Sequence, residues 1–186
     1  MGNRYFTEDQ KVINSGNDNT SYISDTDIPD KEFIEEIIQS QKDAESQNSS
    51  ILIIEDNHEL LQLLVSIFQP IYKVYTANDG VEGFEKAVET QPDIILSDVM
   101  MPRMSGVEMT SKLKSNFETS HIPIVLLTAQ TAADYVVQGL LTGADDYIIK
   151  PFDLRVLVTR CNNLVNSRKL LQKKYASQPD VEPQLI

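Results

Sequence analysis

The sequence predicts a doubly wound α/β protein, a five-stranded parallel sheet with helices on both faces. Three observations carry that prediction. Beyond residue 50, short apolar runs alternate with segments of helical periodicity. The strand-like runs are continuously apolar, as in sheets covered on both sides, and do not alternate with polar residues. Acids, a threonine and a lysine stand where those runs end, the rim at which open α/β sheets bind ligands.

Element by element, Ile51–Ile54 is an apolar run that stops at Glu55-Asp56-Asn57, the pattern of a buried strand and its carboxyl end. Glu59–Phe68 follows with Leu60, Leu61, Leu63, Leu64, Ile67 and Phe68 at helical spacing. The alternation repeats, with strands near 71–76, 93–97, 123–127 and 146–149. Helices are predicted near 80–90, 106–117, 131–141 and 153–174. Parallel strands joined by helices connect right-handedly, which closes a sandwich of helix, sheet and helix.

The last helix is long for this plan. Leu154, Leu157, Cys161, Leu164, Arg168, Leu171 and Tyr175 follow a 3-4 spacing, the seam of a coiled coil. Its first half is expected to pack on the sheet. Its last two turns are expected either to fray, with Arg168 weakening the seam, or to carry a connection or a self-association surface. Cys161, the only cysteine, lies in this apolar helical setting and reads as a small core residue; no intrachain disulfide can form.

Residues 1–50 differ in texture, being rich in Asn, Asp, Ser, Thr and Gln, and read as an acidic, flexible linker. One island interrupts it near 29–46. Pro29, early acids and apolar residues at 33, 34, 37 and 38 give it a helical pattern. Isolated helices of such length are marginal, so this one is expected to need a packing partner. The organisation read from the sequence is therefore a linker over 1–50, one domain over 51–175 and a further linker over 176–186.

The 186 residues carry a net charge of −12, and eleven acids against Arg4, Lys11, Lys31 and Lys42 give the first fifty residues −7 of it. From Arg155 to Lys174 the sign reverses, with Arg155, Arg160, Arg168, Lys169, Lys173 and Lys174 and no acid. An acidic chain argues against general nucleic-acid binding, which needs a positive surface, and the basic run reads as a solvated helix face. No apolar run approaches the roughly 20 residues that span a bilayer, and no secretory leader opens the chain. These features predict a cytoplasmic chain without membrane contact of its own.

Asp98 poses the chemical question. It ends the run Ile94-Ile-Leu-Ser97 with no basic residue close in sequence to pair with it, so it is a helix cap or a reactive group. At the same rim the predicted topology places Glu55 and Asp56 after the first strand, Thr128 after the fourth, and Lys150 after the fifth. Three acids in one place repel unless a cation sits among them, and hard oxygen ligands with open positions suit Mg²⁺. Pro151 restricts the preceding peptide and so orients Lys150 towards the rim, where it acts as a fixed charge for a carboxylate or phosphoryl group.

These pieces resemble the receiver domain of bacterial two-component response regulators, over roughly residues 50–170. The resemblance rests on Ile54-Glu-Asp-Asn57, Ser97-Asp-Val-Met-Met-Pro102 with Gly106, Leu127-Thr-Ala129, and Gly143-Ala-Asp-Asp-Tyr-Ile-Ile-Lys-Pro-Phe152. It implies a flavodoxin-like (βα)5 three-layer sandwich with strand order 2-1-3-4-5. It further implies that Asp98 is the phosphoacceptor, and that Asp56 and Asp98 hold Mg²⁺ with the Met100 carbonyl, Glu55 acting through water. Thr128 would bond the phosphoryl group, Lys150 would pair with it, and Tyr147 would be the aromatic whose rotamer follows Thr128. The chain itself would then be a phosphorylation switch with no separate enzyme activity.

Thr119-Ser-His-Ile-Pro-Ile-Val-Leu-Leu-Thr-Ala129 and Asn163-Leu-Val-Asn-Ser-Arg-Lys-Leu170 resemble receivers inside hybrid two-component systems. The opening Gly2-Asn-Arg-Tyr-Phe-Thr-Glu-Asp-Gln10 looks like the segment leaving a kinase catalytic domain. That narrower resemblance implies a histidine kinase upstream in the same chain, an inner-membrane sensor, and a DNA-binding output domain beyond residue 186. Ser105 stands where many receivers have Asp, and Gln130 where many have a charged residue, which bears on the dephosphorylation rate.

Other classes fit less well. A haloacid-dehalogenase-type phosphatase wants a second acid two residues after the nucleophile, and that position is Met100. A flavin carrier wants a Ser/Thr/Gly-rich loop after the first strand, where Glu55-Asp56-Asn57-His58 stands instead. A constitutive dimerisation or linker module, with a homodimer as its product, is the remaining alternative. His58, beside the acids, reads as a solvated helix start.

Overall fold

The computed structural model describes residues 31–42, 49–129 and 142–176. Five strands form one parallel sheet: β1 (Ser50–Ile54), β2 (Lys73–Ala77), β3 (Ile94–Asp98), β4 (Ile124–Thr128) and β5 (Asp146–Ile149). Their order is β2-β1-β3-β4-β5, the flavodoxin-like arrangement that the resemblance implied. The helices among the described residues are α1 (Lys31–Lys42), α2 (His58–Phe68), α3 (Gly80–Thr90), α4 (Gly106–Ser115) and α5 (Leu154–Ala176). The helix expected over 131–141, together with Gln130 and residues 177–186, lies outside the described residues.

The continuous apolar runs are explained by two cores. Successive strand residues point to opposite faces. Ile51, Ile53, Ile94, Leu96, Val125 and Leu127 face α2 and α5, where they meet Leu61, Leu64, Phe68, Leu157 and Val165. Leu52, Ile54, Ile95, Ile124 and Leu126 face the other way, against Ala87 of α3 and Met109 and Leu113 of α4. The central strands β3 and β4 are buried at every residue, and the edge strands β2 and β5 are not.

The helix starts follow local capping chemistry. Asn57 caps α2, its Oδ1 accepting from the Leu60 amide at 3.0 Å, which leaves Glu55 and Asp56 free of that task. Ser105 caps α4 in a reciprocal box with Glu108: the Glu108 amide donates to Ser105 Oγ and the Ser105 amide to Glu108 Oε2, both at 3.2 Å. Asp98 is therefore not the cap of the helix that follows it. The serine where many receivers carry Asp has this structural use.

Helix α5 divides as its sequence suggests. Leu154, Leu157, Val158, Cys161 and Val165 are buried in the first core, and Leu170, Leu171 and Tyr175 are exposed. Its basic residues are partly spoken for: Arg160 forks onto the Asp146 carboxylate at 2.9 and 3.0 Å, and Lys169 Nζ donates to Ser49 Oγ at 2.6 Å. Helix α1 finds the partner that a short amphipathic helix needs. Phe33, Ile34, Ile37 and Ile38 pack against the first core, with the Arg155 guanidinium 4.7 Å from the Phe33 ring centroid.

Candidate functional site

The site lies beyond the carboxyl ends of β1, β3, β4 and β5. In β1 and β3, Ile54 pairs with Ser97, so Glu55 and Asp98 emerge side by side. Asp98 pairs with Leu127 of β4, and Thr128 pairs with Ile149 of β5, so Lys150 is the next residue out. The Lys150 amide donates to the Thr128 carbonyl at 2.6 Å, which extends the ladder by one bond. The topological switch between β1 and β3 opens the crevice in which these side chains meet.

Glu55, Asp56 and Asp98 each offer a carboxylate oxygen within 4.8 Å of the other two. Glu55 and Asp98 are buried and Asp56 is exposed. Lys150, its side chain only 7% exposed, sets its ammonium 3.2 Å from Glu55 Oε2 and 3.3 Å from Asp98 Oδ1. The Lys150–Pro151 peptide is cis.

One ammonium does not neutralise this pair. Burial, then repulsion from Asp98, pushes the Glu55 carboxyl up to about 7, although Lys150 and the Asn57 amide pull against that shift. Burial likewise raises Asp98, opposed by Lys150 and by the amides of Met100 and Val99. A divalent cation beside Glu55 and Asp98 would favour their charged forms. The donor set fits Mg²⁺, with all-oxygen ligands and an open side.

The remaining residues flank this centre. Thr128 is fully buried at the end of β4. Tyr147 is half-buried on β5, its hydroxyl 2.7 Å from Thr142 Oγ1. The Met100 side chain is exposed. Gly106 permits the chain to turn back on Asp98: its amide donates to the Val99 carbonyl at 3.0 Å, and a Cβ there would stand 2.1 Å from the Asp98 carbonyl oxygen. His58 is exposed at the start of α2.

Two contacts have no counterpart in the sequence reading, one at the rim that carries the site and one at the opposite end of the sheet. Arg103, five residues past Asp98, turns away from it, and its Nε donates to Asp79 Oδ2 at 2.8 Å. Lys114 Nζ reaches the Ile122 carbonyl and Asp145 Oδ2, each at 2.8 Å, and so ties α4 to the start of β4 and the approach to β5. Asp79-Gly80 before a helical run is a capping signal; which cation meets it is not written locally.

The sequence matches the response regulator receiver domain family over residues 51–162, and the chain belongs to that family. It is a receiver domain of two-component signal transduction. Among curated proteins it is 36% identical to Histidine kinase P4 of Formosa agariphila over 86% of this chain and 11% of that protein. It is 37% identical to Hybrid signal transduction histidine kinase D of Dictyostelium discoideum over 89% of this chain and 11% of that one. The chain thus spans about a tenth of the length of these relatives. Among solved structures, the receiver domain of sensor histidine kinase PA1611 from Pseudomonas aeruginosa PAO1 superposes with a TM-score of 0.58 at 26% identity. The match covers 64% of this chain and 98% of that one, whose structure has a magnesium ion in the active site cleft.

Proposed function

We propose that this receiver accepts a phosphoryl group on Asp98 and switches conformation in response. The observation that carries the reading is the placement of Lys150, 3.3 Å from Asp98 in a buried rim shared with two further acids. Phosphoryl transfer asks for an in-line nucleophile and neutralised oxygen charge, with little covalent work from the protein. An Asp98 oxygen forms the new bond to phosphorus as the bond to the donor's histidine nitrogen breaks, and the electron pair leaves with the imidazole. Lys150 would pair with a phosphoryl oxygen, and the Thr128 hydroxyl and Ala129 amide would bond another. Bound Mg²⁺ would neutralise and orient the phosphoryl oxygens; Asp56, Asp98 and the Met100 carbonyl would hold it, with Glu55 acting through water.

The nearly doubly negative group would draw the loop after β4 inward. Tyr147, held in its present place by the bond to Thr142, would follow Thr128 and change the face around β5. The relatives named above support a histidine kinase as phosphodonor in the same parent chain of a hybrid sensor; a cytosolic position and a transcriptional output belong to the same proposal. Among the described residues no helix is long and apolar enough to cross a membrane. The exposed end of α5 suits a link to a following module or to a second copy.

The test uses acetyl phosphate, and separately beryllofluoride, with and without Mg²⁺. A one-site mass or spectral change that needs Mg²⁺ and vanishes in Asp98→Ala supports the reading. Labelling that survives the substitution overturns it. A dimer unaltered by beryllofluoride would instead favour a constitutive association module.

A further inference from the structure

The segment between Asp98 and α4 contains the one backbone ligand of the proposed cation site, the Met100 carbonyl. Its near end is anchored: the Val99 amide donates to Leu127 O at 2.9 Å, and the Val99 carbonyl accepts from Gly106. Its outer end is held by the Met101 and Met104 side chains, which pack against the second core, and by the turn between β2 and α3. The Gly80 amide donates to the Met104 carbonyl at 3.2 Å, and a Cβ on Gly80 would stand 2.4 Å from that oxygen, so the two backbones touch. Beside this contact, Arg103 Nε and Nη2 both donate to Asp79 Oδ2.

Asp79 is built for the purpose. Its side chain is 8% exposed, and its other oxygen, Oδ1, caps α3 by accepting from the amides of Val81 and Glu82 at 2.8 and 3.0 Å. One carboxylate therefore holds both a helix start and a loop. Arg103 adopts φ +65°, a left-handed conformation that costs a non-glycine residue of order 1 kcal/mol. That backbone turns its side chain away from Asp98 and towards Asp79. The Arg103 side chain is 61% exposed, so it fills no core.

We propose that Arg103 and Asp79 are positioning residues for the cation site, a latch that holds the Met100 carbonyl in ligating register with Asp56 and Asp98. The proposal rests on the Mg²⁺ reading above. Mg²⁺ tolerates little departure from octahedral geometry. Asp98 is placed by its strand and Asp56 by the end of another, so the loop carbonyl is the softest ligand. Whatever narrows its spread raises affinity without touching the ion.

The test is Mg²⁺ affinity by calorimetric titration, beside Tm, in the whole chain. Arg103→Gly is the informative variant, because glycine takes φ +65° without strain and the capping of α3 is untouched. Its Tm should hold while the Kd for Mg²⁺ weakens roughly tenfold, the lower end of what a lost supporting partner costs a metal site. Asp79→Asn should weaken Mg²⁺ similarly, and the double variant no further, since both break one contact. Amide exchange at Met104 should quicken in each. Unchanged Mg²⁺ affinity in Arg103→Gly overturns the latch and leaves the Mg²⁺ reading standing. A wild-type chain whose Mg²⁺ binding is absent, or is indifferent to Asp56→Ala, overturns both.

Discussion

Lys150 holds its ammonium 3.3 Å from Asp98 although Asp98 ends β3 and Lys150 follows β5, with β4 between them. The same nitrogen stands 3.2 Å from Glu55, so two buried acids share one cation. Lys150→Met should slow phosphorylation by acetyl phosphate by roughly a hundredfold, the scale on which a preorganised charge acts. The same variant should bind Mg²⁺ at least as tightly as wild type, because the ammonium competes with the metal for these carboxylates. Mass spectrometry and calorimetric titration read the two effects, which move in opposite directions.

The raised Glu55 carboxyl predicts a pH dependence. Its ordinary value is 4.5 and in the folded chain it reaches about 7, chiefly through burial. Between those values the folded state keeps a proton that the unfolded state has released. Stability without Mg²⁺ should therefore fall as pH rises from about 4.5 to about 7 and level off above. The raised Asp98 carboxyl adds to the trend in the same direction. Urea unfolding across that range should show the slope, and Glu55→Gln should reduce it. Saturating Mg²⁺ should oppose it, since the ion favours the charged carboxylates.

Gly106→Ala tests the tightness of the turn behind the phosphoacceptor. A Cβ would stand 2.1 Å from the Asp98 carbonyl oxygen, a backbone atom that moves only if β3 moves. A loss of about 1–3 kcal/mol is expected, as for other overpacked sites, with slower phosphorylation because Asp98 is displaced. An unchanged Tm would contradict so close an approach.

Helix α1 should be an accessory. A chain cut to residues 49–176 should fold and keep its Mg²⁺ affinity, with a Tm lower by a few degrees. The loss reflects removal of the apolar contacts of Phe33, Ile34, Ile37 and Ile38 and of the Phe33–Arg155 stacking. Phe33→Ala in the whole chain should reproduce much of it.

The strand assignments were legible because buried parallel strands leave continuous apolar runs, and the boundaries moved by only a residue or two. Asp98 and Thr128 close β3 and β4 as their last residues, where the sequence reading placed them just beyond. The predicted helix over 106–117 ends at Ser115, and Asn116 leaves the helix with extended dihedrals. The gathering of Glu55, Asp56, Asp98 and Lys150 was also legible, because in a parallel sheet every carboxyl end lies on one rim.

What the sequence by itself determined, then, is the five strands, the helices among the described residues and the membership of the rim, all of which follow from local periodicity and from topology. Only the tertiary structure decided which charges pair: Lys150 with both Glu55 and Asp98, Arg103 with Asp79 and not with the nearer Asp98, and α1 against the first core. The physical reason is distance along the chain. Glu55 and Lys150 are 95 residues apart, and Asp79 and Arg103 are 24 apart. Such pairs are set by strand register and by the close passage of two loops, and no local pattern of residues encodes either.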